Sequence, residues 1–124
     1  MVINKTIKNK NKMIQEVIYS SKNGGQKTII NYPNNVSVQV VKGYPYTNGL
    51  VDVHITIDGS SSTNGANFND ELNLSESIKS VLDMFDARST KKHIRYGKCY
   101  VDEKSALAKT RDMMALAQII SEVK

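Results

Sequence analysis

The feature that most constrains the fold is a strict alternation of apolar and polar residues over 51–58 in the segment 50–58. The apolar positions are Val51, Val53, Ile55 and Ile57, and the polar ones are Asp52, His54, Thr56 and Asp58. Successive side chains of a β-strand point to opposite faces, so this period of two predicts a strand with one apolar and one polar face. We expect the polar face to meet solvent, as is common in antiparallel sheets.

Three further strands are predicted before this one. The segments 16–21 and 26–31 flank Asn23-Gly24, a pair that favours a hairpin turn with two positive φ angles. A second turn is predicted at 32–35, and the alternating valines of 36–41 indicate the next strand. Short connections between neighbouring strands favour an antiparallel meander.

The second half of the chain predicts two helices separated by a strand. Residues 74–87 place their apolar side chains on one helical face, and Asp102 is suited to cap a helix that runs to about Val123. Residues 91–101 between them predict a fifth strand. The expected fold is therefore α+β, a four- to five-stranded antiparallel meander packed by two C-terminal helices. We expect one domain over 1–124, with residues 1–11 as a basic N-terminal arm, flexible or weakly helical.

Composition excludes several classes of protein. A single cysteine, Cys99, leaves no internal disulfide and no cysteine-rich zinc site. No apolar run has the length of a signal peptide or a membrane span, so we expect a cytoplasmic protein without a membrane segment. No motif indicates a cofactor or a metal ligand set, and we assign neither.

Charge points to a polyanionic partner. The net charge is +5, and the segment 88–98 contains five basic residues and no acidic one, whereas 70–86 is mainly acidic. As a strand, the basic segment would place Lys92, Tyr96, Lys98 and Tyr100 on one face. Lysines contact phosphates and tyrosine rings stack on bases, which is how single-stranded nucleic acid is held without sequence readout.

The predicted nucleic-acid site follows from this pattern. Its residues are Lys91, Lys92, Arg95, Tyr96, Lys98 and Tyr100, with Tyr44 and Tyr46 adding rings if their loop lies nearby. Two structural alternatives stay open: tyrosines at strand ends also cover the edge of a core, and the basic segment can dock on the acidic helix.

Two other classes of function compete with nucleic-acid binding. An enzyme would use Asp52, His54 and Asp58 to hold a metal or transfer protons, although strand neighbours two residues apart, about 7 Å, are too distant to hydrogen bond directly. A thiol enzyme would use Cys99, activated by Arg95 and Lys98, but a packed cysteine is the commoner environment. The third class is a protein-interaction module, such as an inhibitor, adaptor or assembly subunit of a virus or mobile element, or a homo-oligomer. No pattern names a reaction, so we expect a small non-enzymatic binding protein.

Overall fold

The computed structural model describes residues 2–9, 12–59, 65–87 and 93–124. These residues form seven strands and two helices. The elements are β1 (Val2–Asn9), β2 (Lys12–Ser20), β3 (Gln26–Tyr32), β4 (Val36–Lys42), β5 (Val51–Ile57), β6 (Gly65–Asn67), α1 (Leu74–Ala87), β7 (Ile94–Tyr100) and α2 (Glu103–Val123). A short 3-10 turn, Pro45–Thr47, lies in the loop before β5.

All seven strands belong to one sheet, in the order β1-β2-β3-β4-β5-β7-β6. The first five strands form a meander, β7 pairs antiparallel with β5, and β6 pairs parallel with β7. The α+β class, the meander and the two C-terminal helices are thus confirmed. The sheet has two more strands than the sequence predicted, β1 and β6.

Residues 2–9 depart from the predicted arm. They form β1, which pairs antiparallel with β2 from Val2↔Tyr19 to Asn9↔Lys12, so the expectation of weak helix is wrong. Pairing with the edge of β2 satisfies the backbone hydrogen-bonding groups of β1, and lysine-rich edge strands are common because charge discourages aggregation. Composition alone does not reveal such a strand.

The turns and helix starts follow local chemistry. Asn34 and Asn35 have φ of 63° and 61°, which suits the hairpin between β3 and β4. In the preceding hairpin only Gly24 has a positive φ, not the predicted pair Asn23-Gly24. Helix α2 begins at the predicted cap, where the Asp102 side chain accepts a hydrogen bond from the Ser105 amide.

Both helices pack on one face of the sheet. The core between them contains Val38, Val53, Ile55 and Ile57 from the sheet and Val81, Met113, Leu116 and Ile120 from the helices. Burial of each such side chain stabilises the fold by about 1.5–3 kcal/mol. The predicted apolar stripes are confirmed except at their ends, since Leu74 and Val123 are exposed.

Strand β5 is buried along its whole length, on both faces. Asp52, His54 and Thr56 are each less than a tenth exposed, so the predicted solvent-facing polar side is wrong. The reason is that β5 lies between β4 and β7, whose side chains Gln39 and Arg95 lie against its polar residues. Neither described helix is long and apolar enough to pass through a lipid bilayer.

Candidate functional site

The buried polar residues of β5 lie on the face of the sheet that the helices do not cover. Asp52 and His54 alternate with the core residues of β5, and Arg95 projects from the neighbouring strand β7, where it pairs in register with Thr56. Together Asp52, His54 and Arg95 form a cluster of three ionisable side chains, which we call the polar cluster.

The three side chains of the polar cluster are in direct contact. Arg95 Nη2 donates to Asp52 Oδ2 over 2.6 Å, and His54 Nδ1 lies 3.3 Å from Asp52 Oδ1. Arg95 Nη2 is also 3.3 Å from His54 Nδ1. The prediction that Asp52 and His54 are too far apart to interact is therefore wrong, because the two side chains bridge the backbone spacing by leaning toward each other.

These contacts set the charge state of Asp52. Burial on its own raises the pKa of this carboxyl, but the hydrogen bonds from His54 and Arg95 and the positive charge of Arg95 outweigh burial, so the pKa is lowered. Asp52 is therefore ionised at neutral pH and neutralises the Arg95 guanidinium. One polar atom of the polar cluster lacks a partner: His54 Nε2 is buried and makes no hydrogen bond.

Gly97 allows the strands to approach at the polar cluster. It lies opposite His54 in the register of β5 and β7. A Cβ at this position would overlap the Cβ of His54 and the carbonyl oxygen of Val53. A side chain at position 97 would therefore displace His54 from the place it occupies.

An open cavity of about 710 Å³ lies against the polar cluster. Its lining is mostly polar and comes from five strands and one loop: Lys27, Gln39, Val41, Tyr46, Asp52, His54, Arg95 and residues 65–67. Gln39 is oriented by a 3.3 Å hydrogen bond from its Nε2 to Thr56 Oγ1. Within the described residues Lys27 makes no ion pair, so its ammonium is available to a ligand.

Aromatic rings stand at the rim of this cavity. Tyr46 is 67% exposed, and its ring stacks on that of Tyr44 with a centroid distance of 5.8 Å and an interplanar angle of 25°. The loop is held by Thr47, whose hydroxyl donates to the Tyr44 carbonyl over 2.7 Å. Tyr19 is also exposed on this face and lies directly opposite Lys27 in the pairing of β2 and β3.

The predicted nucleic-acid residues divide between the two faces of the sheet. Arg95 and Tyr46 line the cavity, and Tyr44 packs on Tyr46. Tyr96 and Tyr100 are on the other face, buried in the core beneath the helices. The predicted shared face of β7 is thus the face that the helices cover, and its two tyrosine rings are buried in the core.

The basic residues of the prediction are also separated. Lys98 lies near the helices and pairs with Asp70 over 3.4 Å, a contact between the basic segment and the acidic one. Lys91 and Lys92 lie outside the described residues. Of the predicted basic side chains, Arg95 is the one that the described structure places at the cavity.

Asp58, the third residue of the metal hypothesis, does not join Asp52 and His54. It follows β5, its Oδ1 accepts a 2.7 Å bond from Lys124, and its carbonyl oxygen contacts the ring of His93. Across residues 2–9, 12–59, 65–87 and 93–124, no three His, Cys, Asp or Glu side chains are grouped to hold a metal ion.

Cys99 is exposed rather than packed, contrary to the expected environment. Partial burial and the charge of Asp52 raise the pKa of its thiol and outweigh the opposing charge of Arg95. The thiol-enzyme hypothesis needs a lowered pKa and is therefore not supported, since the reactive thiolate is disfavoured at neutral pH.

Sequence reasoning missed Lys27, Gln39, Asn67 and Tyr19. Lys27 and Gln39 belong to predicted strands. The alternation of Gln39 with Val38 and Val40 would have placed it on the polar side of its strand, whereas Lys27 lies between two other polar residues. Strand register was the missing information, because it decides which polar residues of different strands lie together. Asn67 belongs to β6, a strand of three residues with no periodicity to detect.

Comparison with known proteins gives no further assignment. No protein-family model matches the chain, and searches of curated proteins and of solved structures find no significant match. The fold and the site define a protein with a polar cavity on the sheet face opposite its two helices.

Proposed function

We propose that this protein binds single-stranded nucleic acid on the open face of its sheet, with one nucleotide seated in the polar cavity. The observation that carries the proposal is the stacked Tyr44–Tyr46 pair at the rim of a cavity that also holds Lys27 and Arg95. Aromatic rings hold unpaired bases by stacking, and lysine and arginine hold phosphates. The protein acts in this proposal as a binding protein and not as an enzyme.

The size of the cavity supports a nucleotide as the bound unit. Its volume of about 710 Å³ lies in the range of small-ligand sites. Tyr46 is exposed at the rim, where a base can stack on it without any rearrangement of the core. A duplex keeps its bases stacked on one another, so it cannot offer one to Tyr46 unless the base is flipped out.

The charge distribution supports few phosphate contacts rather than many. Lys27 is a free cation in the described structure, whereas Arg95 is shared with Asp52 but keeps further N–H donors. Two phosphate contacts with a single strand give a slope of log affinity against log salt of about −1.4. This slope is shallower than that of a protein that binds mainly by charge.

The test is a fluorescence-anisotropy titration with labelled single-stranded DNA, single-stranded RNA and duplex DNA over a series of salt concentrations. We expect both single strands to bind more tightly than the duplex. Equal, weak binding of all three that vanishes at physiological salt would contradict the proposal and favour a protein partner instead.

Two variants locate the site. Tyr46→Ala should weaken single-strand binding by about 5- to 100-fold, because one base loses its stacking partner. Lys27→Glu should weaken it and flatten the salt dependence. The matched control is Lys104→Glu, an exposed lysine on α2 and outside the cavity lining. If this control loses as much affinity as Lys27→Glu, binding depends on the total positive charge of the protein, and the proposed position of the binding site is wrong.

A further inference from the structure

We infer that His54 selects the seated nucleotide by accepting a hydrogen bond at Nε2 from an O–H or N–H group of the ligand. The inference rests on the proposed nucleic-acid binding and adds the chemistry by which the cavity distinguishes one nucleotide from another. It is carried by an unpartnered buried atom, the contacts of Nδ1 and the position of His54 in the cavity wall.

The contacts of Nδ1 determine where the proton of the imidazole lies. Nδ1 faces Asp52 Oδ1 and Arg95 Nη2, each at 3.3 Å. Nη2 can only donate, and one of its two N–H groups donates to Asp52 Oδ2 over 2.6 Å. The other N–H group can donate to Nδ1 only if Nδ1 carries no proton. A proton on Nδ1 supplies the donor that the buried Oδ1 needs, whereas a bare Nδ1 would leave Oδ1 without one.

The tautomer with its proton on Nδ1 has a bare Nε2. With this tautomer both oxygens of Asp52 have a donor, Oδ1 from His54 and Oδ2 from Arg95. Nε2 is therefore a hydrogen-bond acceptor.

This acceptor has no donor in the unliganded protein. His54 is only 2% exposed, and Nε2 has no hydrogen-bond partner. Buried polar groups without a partner are rare in folded proteins, because they lose their hydration and gain nothing in exchange. His54 lines the cavity, so a ligand donor that enters there can reach Nε2 once the neighbouring side chains of the wall move aside.

Two parts of a nucleotide carry suitable donors. The ribose 2′-hydroxyl is present in RNA and absent from DNA, and exocyclic amino groups are present on adenine, cytosine and guanine. Both would make the same bond to Nε2. Matched oligonucleotides separate them: oligo-rA against oligo-dA for the hydroxyl, and oligo-dA against an oligodeoxynucleotide of unsubstituted purine for the amino group.

The first experiment measures the tautomer in the unliganded protein. Nitrogen-15 chemical shifts of labelled histidine distinguish a protonated from a bare ring nitrogen, and the spectrum of His54→Asn assigns the signals of His54 as those that disappear. We expect Nδ1 protonated and Nε2 bare at neutral pH. A proton on Nε2 would overturn the inference without affecting the proposed function.

The second experiment measures selectivity in two variants. His54→Asn keeps an amide near the position of Nδ1, where it can donate to Asp52, and removes Nε2. His54→Gln instead places an amide near the position of Nε2. In the wild type we expect one of the two matched pairs to differ in affinity by about tenfold. His54→Asn should abolish that difference, and His54→Gln should keep part of it.

The outcomes are distinguishable. If single strands bind but neither matched pair is discriminated, or if His54→Asn and His54→Gln both keep the full discrimination, the inference is overturned and the proposed function stands. If no oligonucleotide binds the wild type, both are overturned. Circular dichroism checks that each variant is folded. Should His54→Asn fail to fold, the spectrum of His54→Gln assigns the signals of His54 in its place, and the tautomer measurement then decides.

Discussion

The two faces of β5 are equally buried but built from opposite chemistry. The face toward the helices presents Val53, Ile55 and Ile57, which pack against α2 and contribute to one continuous core. The other face presents Asp52, His54 and Thr56, which are covered without a helix and are joined by hydrogen bonds to Arg95 and Gln39. The same strand therefore builds a core on one side and a polar cavity wall on the other.

Burial has a different energetic consequence on each face of β5. Each apolar side chain buried toward the helices stabilises the fold by about 1.5–3 kcal/mol. A hydrogen bond on the polar face contributes only about 0.5–1.5 kcal/mol net, and the unpartnered His54 Nε2 opposes folding. Local rules that favour stability are most often broken at functional sites, which is why the polar face is the candidate.

The largest effect on stability is expected on the helix side. Ile55→Ala removes a fully buried side chain from the centre of the core and should lower the free energy of unfolding by about 2–5 kcal/mol. Urea denaturation measures the loss. Oligonucleotide selectivity, measured at a temperature where the variant is folded, should be unchanged. A change in selectivity would mean that the two faces are not independent.

The second effect, at Gly97, combines a loss of stability with a loss of ligand binding. Gly97→Ala introduces a Cβ that overlaps His54 and the backbone of β5, so we expect a loss of about 1–3 kcal/mol together with weaker ligand binding. Gly24→Ala is the control, because Gly24 has φ 83° but no atom near an added Cβ. It should lose stability through backbone strain alone and bind normally. If Gly97→Ala bound the ligand normally, the inferred contact between His54 and the ligand would be contradicted.

The third effect depends on pH. Asp52→Asn should cost about 1–2 kcal/mol at neutral pH, because the asparagine lacks the charge that holds Arg95. The pKa of Asp52 is lowered in the folded protein, so its contribution is present above the unfolded value near 4 and is lost as pH falls through the folded value. The difference between wild type and variant should therefore shrink in acid. A difference that is constant from pH 7 to pH 2 would contradict this assignment.

The smallest effect is expected away from both faces. Asp102→Ala removes the cap of α2 and should lower stability by about 1 kcal/mol, because the Ser105 amide loses its acceptor. Ligand affinity and selectivity should not change. Asp102→Ala thus serves as a control for a loss of stability alone. Any decrease in affinity that it causes is the baseline against which the decreases in Gly97→Ala and Asp52→Asn are compared.

Local sequence determined the elements of this protein and much of their order. Periods of two identified β4 and β5, the turn signal at Asn23-Gly24 indicated the hairpin of β2 and β3, a helical period identified α1, and Asp102 marked the start of α2. These features depend on neighbours within a few residues, where turn geometry, capping and side-chain direction act. The lysine-rich β1 and the three-residue β6 were not predicted, because they are strands through pairing with another strand and not through a pattern of their own.

Only the tertiary structure decided what the elements do together. Alternation divides β5 and β7 into two faces but does not predict which face the helices cover. Because the helices pack on one particular face, Tyr96 and Tyr100 are buried and Arg95 lies beside Asp52 and His54. Strand register then brought Lys27 and Gln39 to the same cavity. The strand register and the face that the helices cover are both set by the burial of the whole sheet against the two helices. The residues that contribute to this burial are far apart in the chain, so no local sequence pattern predicts the outcome.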